Sequence, residues 1–280
     1  METLSAQLTE LYNEHWESFM EQLEANGLRD KLQCPFLISL LRSGQKKEER
    51  EKDPNWYSKK ETPEHEEWYT KADIKIMFFG QETHGWEKDL DMGDLMGSYE
   101  NFLDDKYVME GNGGYFNEDE VGNTRMFRFA INGIMSCIRE DILQAYPDKR
   151  VSMIWNNISK LSTVEGRPVD TKTHEIERKC FHVIPQEVEI LKPDILIFFT
   201  GPGENTYYKY IKENFTINGE PLPLGGLSVH DVAKLPIKEV GLAYKTHHPN
   251  STISDKCHWD NYKAILADIK ENIDKLLKKE

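Results

Sequence analysis

The sequence predicts an α/β protein, a three-layer sandwich with a central four-stranded parallel sheet and helices on both faces. Two observations predict it: four short segments are almost continuously apolar, and helical patterns separate them along the chain. Strands that are apolar on both sides belong to sheets with both faces covered, and a helix is the usual connection between parallel strands. No repeat or second boundary occurs, so we expect one domain over residues 1–280.

Amphipathic helices are predicted at both ends of the chain. Apolar residues recur on one helical face from Leu4 to Leu23, and Asn26-Gly27 supplies a stop. This helix opens a helical extension that we place at residues 1–45. A second helical pattern runs from Tyr262 to Leu276 and has lysines near its end, where they complement the helix dipole. We expect both helices to pack on the sheet.

Two other segments are strongly charged. Residues 46–70 form a connector with two prolines, which we interpret as solvated surface. Residues 87–120 form an acidic insertion with eleven acidic residues against two lysines, a net charge of −9. A loop of this length is typical of a functional lid or a partly disordered insertion. Its aspartates fit no standard calcium loop, so we interpret it as a solvated acidic face and predict neither metal nor cofactor.

The four predicted strands lie in the central part of the chain, at residues 74–79, 151–155, 194–199 and 240–246. Helical patterns separate them, most clearly over residues 125–141 and 174–192. The strands are followed in turn by the sequences GQETH, NN, TGPGEN and HHPNS. Ligands of open α/β sheets bind at the carboxyl ends of the strands. Four such loops favour a binding site, although Gly, Asn and Pro are also ordinary turn formers.

Composition narrows the class of protein. No apolar run approaches the roughly 20 residues that span a bilayer, so we expect no membrane partner. The first residues have neither a basic start nor an apolar stretch, which predicts no secretory signal. Four cysteines lie far apart without a C-x-x-C pair, which indicates reduced thiols in a cytoplasm rather than a zinc ribbon. The net charge of −14 argues against a polyanionic partner.

The motifs at the strand ends resemble those of the uracil-DNA glycosylase superfamily. FFGQETHGW is similar to its first motif, a strand that leads to G-Q-D-P-Y-H. MIWNN resembles its second strand, which ends in a base-reading asparagine. LKPDILIFFTGPG resembles the penultimate strand, and HHPNS resembles the closing H-P-S motif. Order and spacing agree over residues 72–254. The resemblance implies the superfamily fold and excision of a uracil-type or modified pyrimidine base from DNA.

The resemblance also implies roles for five residues. His248 would donate a hydrogen bond to the carbonyl oxygen where negative charge develops. Glu82 stands where the superfamily has a water-orienting aspartate, so these two form the predicted catalytic pair. Asn156 would match one edge of the base with its donor and acceptor. Gln81 would contact the base nearby, and Phe116 would stack on it.

Departures from the superfamily pattern and structural alternatives leave several points open. The tyrosine that excludes 5-substituted pyrimidines is missing after Glu82, and the DNA-wedging leucine is replaced, with Ile253 one residue later as a substitute. Glu82 has capping of a turn as its alternative role, Asn156 a turn at the strand end, and Phe116 packing in the core. His247 is interpreted as a packing residue.

Three functions therefore remain at this stage. The first is a glycosylase-type enzyme that acts on single- or double-stranded DNA. The second is a catalytically inactive member of the same fold that binds a base, a nucleotide or a protein. The third is hydrolysis of a free nucleoside, which would reconcile a base pocket with an acidic surface.

Overall fold

The computed structural model of the protein describes residues 2–38, 40, 63–83, 130–201 and 203–278. Its helices are α1 (Leu4–Ala25), α2 (Pro63–Thr70), α3 (Asn132–Cys137), α4 (Thr171–Cys180), α5 (Ile184–Leu191), α6 (Thr206–Asn214) and α7 (Asp255–Leu277). Its strands are β1 (Ile74–Gly80), β2 (Val151–Asn157), β3 (Ile195–Phe198), β4 (Leu222–Pro223), β5 (Val232–Lys234) and β6 (Leu242–Thr246). Helices and strands alternate through the middle of the chain, which confirms the predicted α/β class.

One mixed sheet of six strands forms the centre of the described structure, in the order β2-β1-β3-β6-β5-β4. The strands β2, β1, β3 and β6 run parallel and coincide with the four predicted segments. β5 and β4 extend the sheet beyond β6 in antiparallel pairing. The predicted number of four strands was therefore wrong. The two additional strands have only three and two residues, too few for a recognisable alternation of apolar and polar positions.

Helix α7 covers one face of the sheet. Phe78 of β1 stacks on Phe199 after β3, with ring centroids 5.7 Å apart. Phe199 in turn meets the edge of Tyr262 in α7 at 6.0 Å. The hydroxyl of Tyr244 in β6 donates to the carboxylate of Asp268 in α7 at 2.7 Å. These contacts fix the long C-terminal helix across β1, β3 and β6.

Helices α1, α5 and α6 lie over the opposite face. Phe79 stacks on Phe198 at 4.8 Å, and Phe215 at the end of α6 packs edge-on against Phe79. The hydroxyl of Tyr12 in α1 donates to the carboxylate of Glu187 in α5 at 2.7 Å. Helices therefore cover both faces, as the sequence predicts, and α1 is part of the core.

Helix α2 at the end of the charged connector has two buried side chains, so the prediction of solvated surface was wrong for Glu66 and Tyr69. Tyr69 is buried, and its hydroxyl donates to the carbonyl of Leu191 at 2.9 Å. Glu66 is buried as well and accepts hydrogen bonds from the N–H groups of Leu4 and Ser5 at 2.7 and 3.0 Å. A carboxylate there satisfies the free N–H groups of α1.

The predicted helices at the two ends of the chain are confirmed with changed bounds, and α3 lies within the pattern over residues 125–141, of which 125–129 lie outside the described residues. The pattern over residues 174–192 forms two helices, α4 and α5, because Pro185 stands in the first turn of α5 and has no N–H to continue a helix. Helix α1 ends as predicted, since Gly27 adopts a φ of 63° that glycine accepts without strain. Residues 46–62 of the connector and the acidic insertion, 87–120, lie outside the described residues.

Candidate functional site

The carboxyl ends of β1, β2, β3 and β6 lie at one edge of the sheet because these strands are parallel. Backbone hydrogen bonds join their loops: Ser159 N–H donates to the Gln81 carbonyl at 2.9 Å, and Gly201 N–H to the Thr246 carbonyl at 3.0 Å. The Gln81 side-chain amide reaches the Thr200 carbonyl at 3.5 Å, a long contact. The loops after the four parallel strands therefore meet, with Gln81 between those of β2 and β3.

Glu82 lies beside helix α6, and its carboxylate accepts a hydrogen bond from the hydroxyl of Tyr207. Burial, together with this hydrogen bond, raises the pKa of Tyr207, so the phenol stays a donor. The N-terminus of α6 is capped by Asn205, whose side chain accepts from Tyr208 N–H at 2.8 Å. Sequence reasoning missed Tyr207, which lies 125 positions from its partner.

Asn156 is fully buried in a polar network on the side of the sheet that α1 and α5 cover. Its amide nitrogen donates to Glu187 at 2.9 Å, and its oxygen accepts from the Lys160 ammonium at 2.7 Å. Lys160 also forms an ion pair with Glu187 at 2.7 Å. Both polar groups of the Asn156 side chain are used inside the protein, which does not fit the base-reading role predicted for it.

Asn157 points to the other side of the sheet, since neighbouring strand residues face opposite ways. Its side chain lies over Gly80, where an added Cβ would come 2.6 Å from Asn157 Oδ1 and 2.4 Å from Trp155 Cζ2. The amide nitrogen of Asn157 and the hydroxyl of Thr200 are buried without a hydrogen-bond partner among the described residues. Buried polar groups are nearly always paired, so an unpaired amide at a strand end suits a ligand.

His248, in the loop after β6, is a neutral hydrogen-bond donor. Its Nδ1 accepts from Asn250 N–H at 3.2 Å, which assigns the proton to Nε2. Burial first, and then the charge of His258, lowers the pKa of His248 to about 4. The imidazole is therefore uncharged at pH 7. The loop that holds His248 lies at the start of α7, because the Ser251 hydroxyl and His258 Nε2 are 3.3 Å apart.

The remaining candidates have other positions. His247 lies 3.5 Å from the carboxylate of Asp231, and its ring centroid is 6.3 Å from that of His258. These contacts fit the packing role predicted for it. Phe116 lies outside the described residues, so its stacking role stays a prediction.

The described structure thus divides the predicted site residues. Gln81 and Glu82 lie at the edge between β1, β3 and α6, and His248 lies beside α7. Asn156 lies away from them, on the other side of β2 from Asn157. The prediction that Asn156 shares one cleft with Glu82 and His248 is therefore not supported. The amide at this edge belongs to Asn157, which was not among the predicted site residues.

Comparison with known proteins does not assign this chain to a family. A scan against models of known families finds no match, and a search of curated proteins finds no significant relative. Among the described residues, no three or more His, Cys, Asp or Glu side chains are grouped so as to hold a metal ion. In the same residues, no helix combines the length and the apolar character that crossing a bilayer requires.

Proposed function

We propose that the protein binds an unstacked nucleobase at the carboxyl edge of the sheet and hydrolyses its N-glycosidic bond, as an enzyme of the uracil-DNA glycosylase type. One observation carries the proposal: the unpaired amide nitrogen of Asn157 and the neutral Nε2–H of His248 belong to strand ends that lie at the same edge of the sheet. Three strand spacings, roughly 14 Å, separate β2 from β6. A pyrimidine ring between the two side chains would bridge this distance.

Each residue has a distinct part in the proposed reaction. Asn157 offers a donor and an acceptor to one edge of the base. As the bond between the base nitrogen and the sugar carbon breaks, its electron pair moves to the base, and His248 donates a hydrogen bond to the carbonyl oxygen that gains charge. Water adds to the sugar carbon, and the proton that it loses passes through solvent to the released base. Glu82, held by Tyr207, orients that water.

The charge of the protein bears on the substrate. A net charge of −14 weakens attraction to DNA phosphates, since non-specific affinity comes mainly from Lys and Arg that displace counterions. A base in a short single strand, or in a free nucleoside, therefore fits this surface better than a base in a long duplex. We take a uracil-type or modified pyrimidine in single-stranded DNA as the first substrate and the nucleoside as the second.

Base release is the direct test of this function. The protein is incubated at low salt with single- and double-stranded oligonucleotides that carry uracil or a modified pyrimidine, and with the free nucleosides, and the released base is separated by chromatography. We expect release from at least one substrate. His248→Ala should slow it by about 100-fold or more, because a donor to the developing charge is lost. The adjacent variant His247→Ala should keep a rate near that of the wild type.

Two outcomes would contradict parts of the proposal. If no substrate releases a base, the enzyme is excluded and the alternative remains, a protein of this fold that binds a base, a nucleotide or a protein without cleavage. If His248→Ala is as fast as the wild type, His248 has no part in the chemistry. Glu82→Gln keeps the shape and removes the charge, so it should lower turnover much more than binding if Glu82 orients water.

A further inference from the structure

A groove lies at the amino end of the sheet, opposite the carboxyl edge. Its volume is about 400 Å³, and its charged lining consists of Lys75, Lys149, Lys192, Asp73 and Asp194. Sites for small molecules commonly measure roughly 300–1,000 Å³, so the groove has room for a small organic ligand. Its position separates it from the proposed nucleobase site.

The carboxylates of the groove already have donors. Asp73 pairs with the Lys149 ammonium at 2.8 Å and accepts from the backbone N–H of Arg150 at 2.9 Å. Asp194 accepts from the backbone N–H of Lys75 at 2.8 Å. The ammonium groups of Lys75 and Lys192 form no ion pair with a carboxylate among the described residues. The three lysines and two aspartates give the groove lining a net charge of +1, in a protein that is strongly acidic overall.

Tyr69 brings these two lysines to one place. Its ring centroid lies 5.3 Å from the Lys75 ammonium, and its hydroxyl donates to the carbonyl of Leu191, the residue before Lys192. Burial, and in second place repulsion by the charge of Lys192, lowers the pKa of Lys75. An anion between them would relieve this repulsion.

The backbone of Lys192 is the second observation. Its φ of 48° is the only left-handed value at a residue other than glycine in the described part of the chain. Helices such as α5 commonly end in glycine at this position because a side chain is strained there. A lysine in its place keeps a positive charge at the groove at the expense of local strain, a pattern that is typical of functional positions.

We propose that the groove binds the phosphate group of a small phosphorylated molecule between Lys75 and Lys192. Each ammonium group supplies three donors from a compact charge, which suits a phosphate oxygen cluster. The groove is larger than a phosphate ion, and Leu276 and Leu277 line another part of it. These apolar side chains would contact the organic part of the ligand. The site does not depend on the proposed base-releasing activity.

Titration calorimetry tests binding directly. Inorganic phosphate and the organic monophosphate glycerol 3-phosphate, which has no nucleobase, are titrated into the protein, with sodium chloride of equal ionic strength and glycerol as controls. We expect both phosphates to bind and both controls to give no binding heat. Tighter binding of the monophosphate would show that the organic part contributes, whereas equal affinity would assign binding to the phosphate group alone. No binding by either phosphate would overturn the proposal.

A variant that does not strain the fold locates the site. Lys192→Gly removes the ammonium group and places glycine where the backbone favours it, so stability should not fall. Its phosphate affinity should decrease roughly 10- to 100-fold, the value of a hydrogen bond to a charged group. The control Lys263→Gln removes one charge from an exposed position of α7 and should bind phosphate as the wild type does. If Lys192→Gly also retains wild-type affinity, Lys192 only complements the end of α5 and the proposed phosphate site is wrong.

Discussion

Two adjacent asparagines at the end of β2 have opposite environments. Asn156 is bonded to Glu187 and Lys160, whereas the amide nitrogen of Asn157 has no partner among the described residues. The sequence shows both asparagines but does not show which of them faces α7, because a shift of one residue exchanges the two faces of a strand. Only the pairing of Gly80 with Asn157 shows which side chain reaches the edge beside α7.

Alanine at each of these asparagines should separate stability from activity. Asn156→Ala leaves two buried charged groups short of a hydrogen bond, so we expect a loss of about 2–4 kcal/mol in the free energy of unfolding. Asn157→Ala removes an unpaired polar group and should change stability by less than about 1 kcal/mol. Urea unfolding and base release measure the two effects. The assignment would be reversed if Asn157→Ala were the less stable protein and kept full base release.

The buried Glu177 and the half-buried His248 should give the stability opposite dependences on pH. Burial raises the pKa of Glu177 to about 7, so its contribution is complete below about pH 4.5 and is lost as the pH rises through 7. Burial lowers the pKa of His248 to about 4, so stability is lost as the pH falls from about 6.5 towards 4. Between about pH 4.5 and 6.5 the two effects therefore partly cancel.

Variants resolve the two contributions. The wild type combines both effects, whereas Glu177→Gln keeps only the effect of His248. On acidification from pH 7 to 5, Glu177→Gln should therefore lose more stability than the wild type. The amide oxygen of glutamine can still accept from the Lys160 N–H that Glu177 binds at 2.7 Å. His248→Ala should show the opposite change, with stability that declines as the pH rises over the same range. Urea unfolding at several pH values measures both, and parallel curves for all three proteins would contradict the assignment.

At the scale of elements, the end of β1 depends on a glycine. A Cβ at Gly80 would lie 2.4 Å from Trp155 and 2.6 Å from Asn157, closer than nonbonded atoms can approach. Gly80→Ala should therefore displace both side chains and cost about 1–3 kcal/mol, the usual penalty of overpacking. It should also lower base release, because Asn157 would move. Thermal unfolding and the base-release assay measure these two effects. An unchanged melting temperature and an unchanged rate would show that the strand ends make room for the methyl group without cost.

The elements differ in how far the sequence could predict them. β1, β2, β3 and β6 are buried along their whole length, or nearly so, and their apolar runs identify them. β5 is defined by pairing with β6, and β4 by pairing with β5; such pairing leaves no local pattern in two or three residues. The sequence did not predict the buried network of Asn156, Lys160 and Glu187 either. A lysine in a loop and a glutamate in a helix are normally exposed to solvent, so neither residue indicated burial.

At the scale of the whole molecule, the buried network of Asn156, Lys160 and Glu187 connects helix α1 to the end of β2. Phe19 of α1 stacks on Phe181 at 4.7 Å, and Tyr12 donates to Glu187, which holds Lys160 and Asn156 beneath the loop after β2. The Tyr12 oxygen also accepts from the N–H of Ile38 at 3.0 Å. Because these contacts are buried, α1 should unfold together with the sheet.

Native-state hydrogen exchange of a conservative variant tests this cooperativity. Tyr12→Phe removes one hydroxyl that bonds to a buried carboxylate and a buried N–H, so the free energy of global unfolding should fall by about 1–3 kcal/mol. In one cooperative unit, the buried amides of α1 and of β1 lose protection by the same amount. Tyr146→Phe is the matched control: its hydroxyl bonds to Asp274 at the surface, and its loss should cost less than about 1 kcal/mol. Loss of protection in α1 alone, with β1 unchanged, would show that the helix detaches independently and that the strand ends do not depend on it.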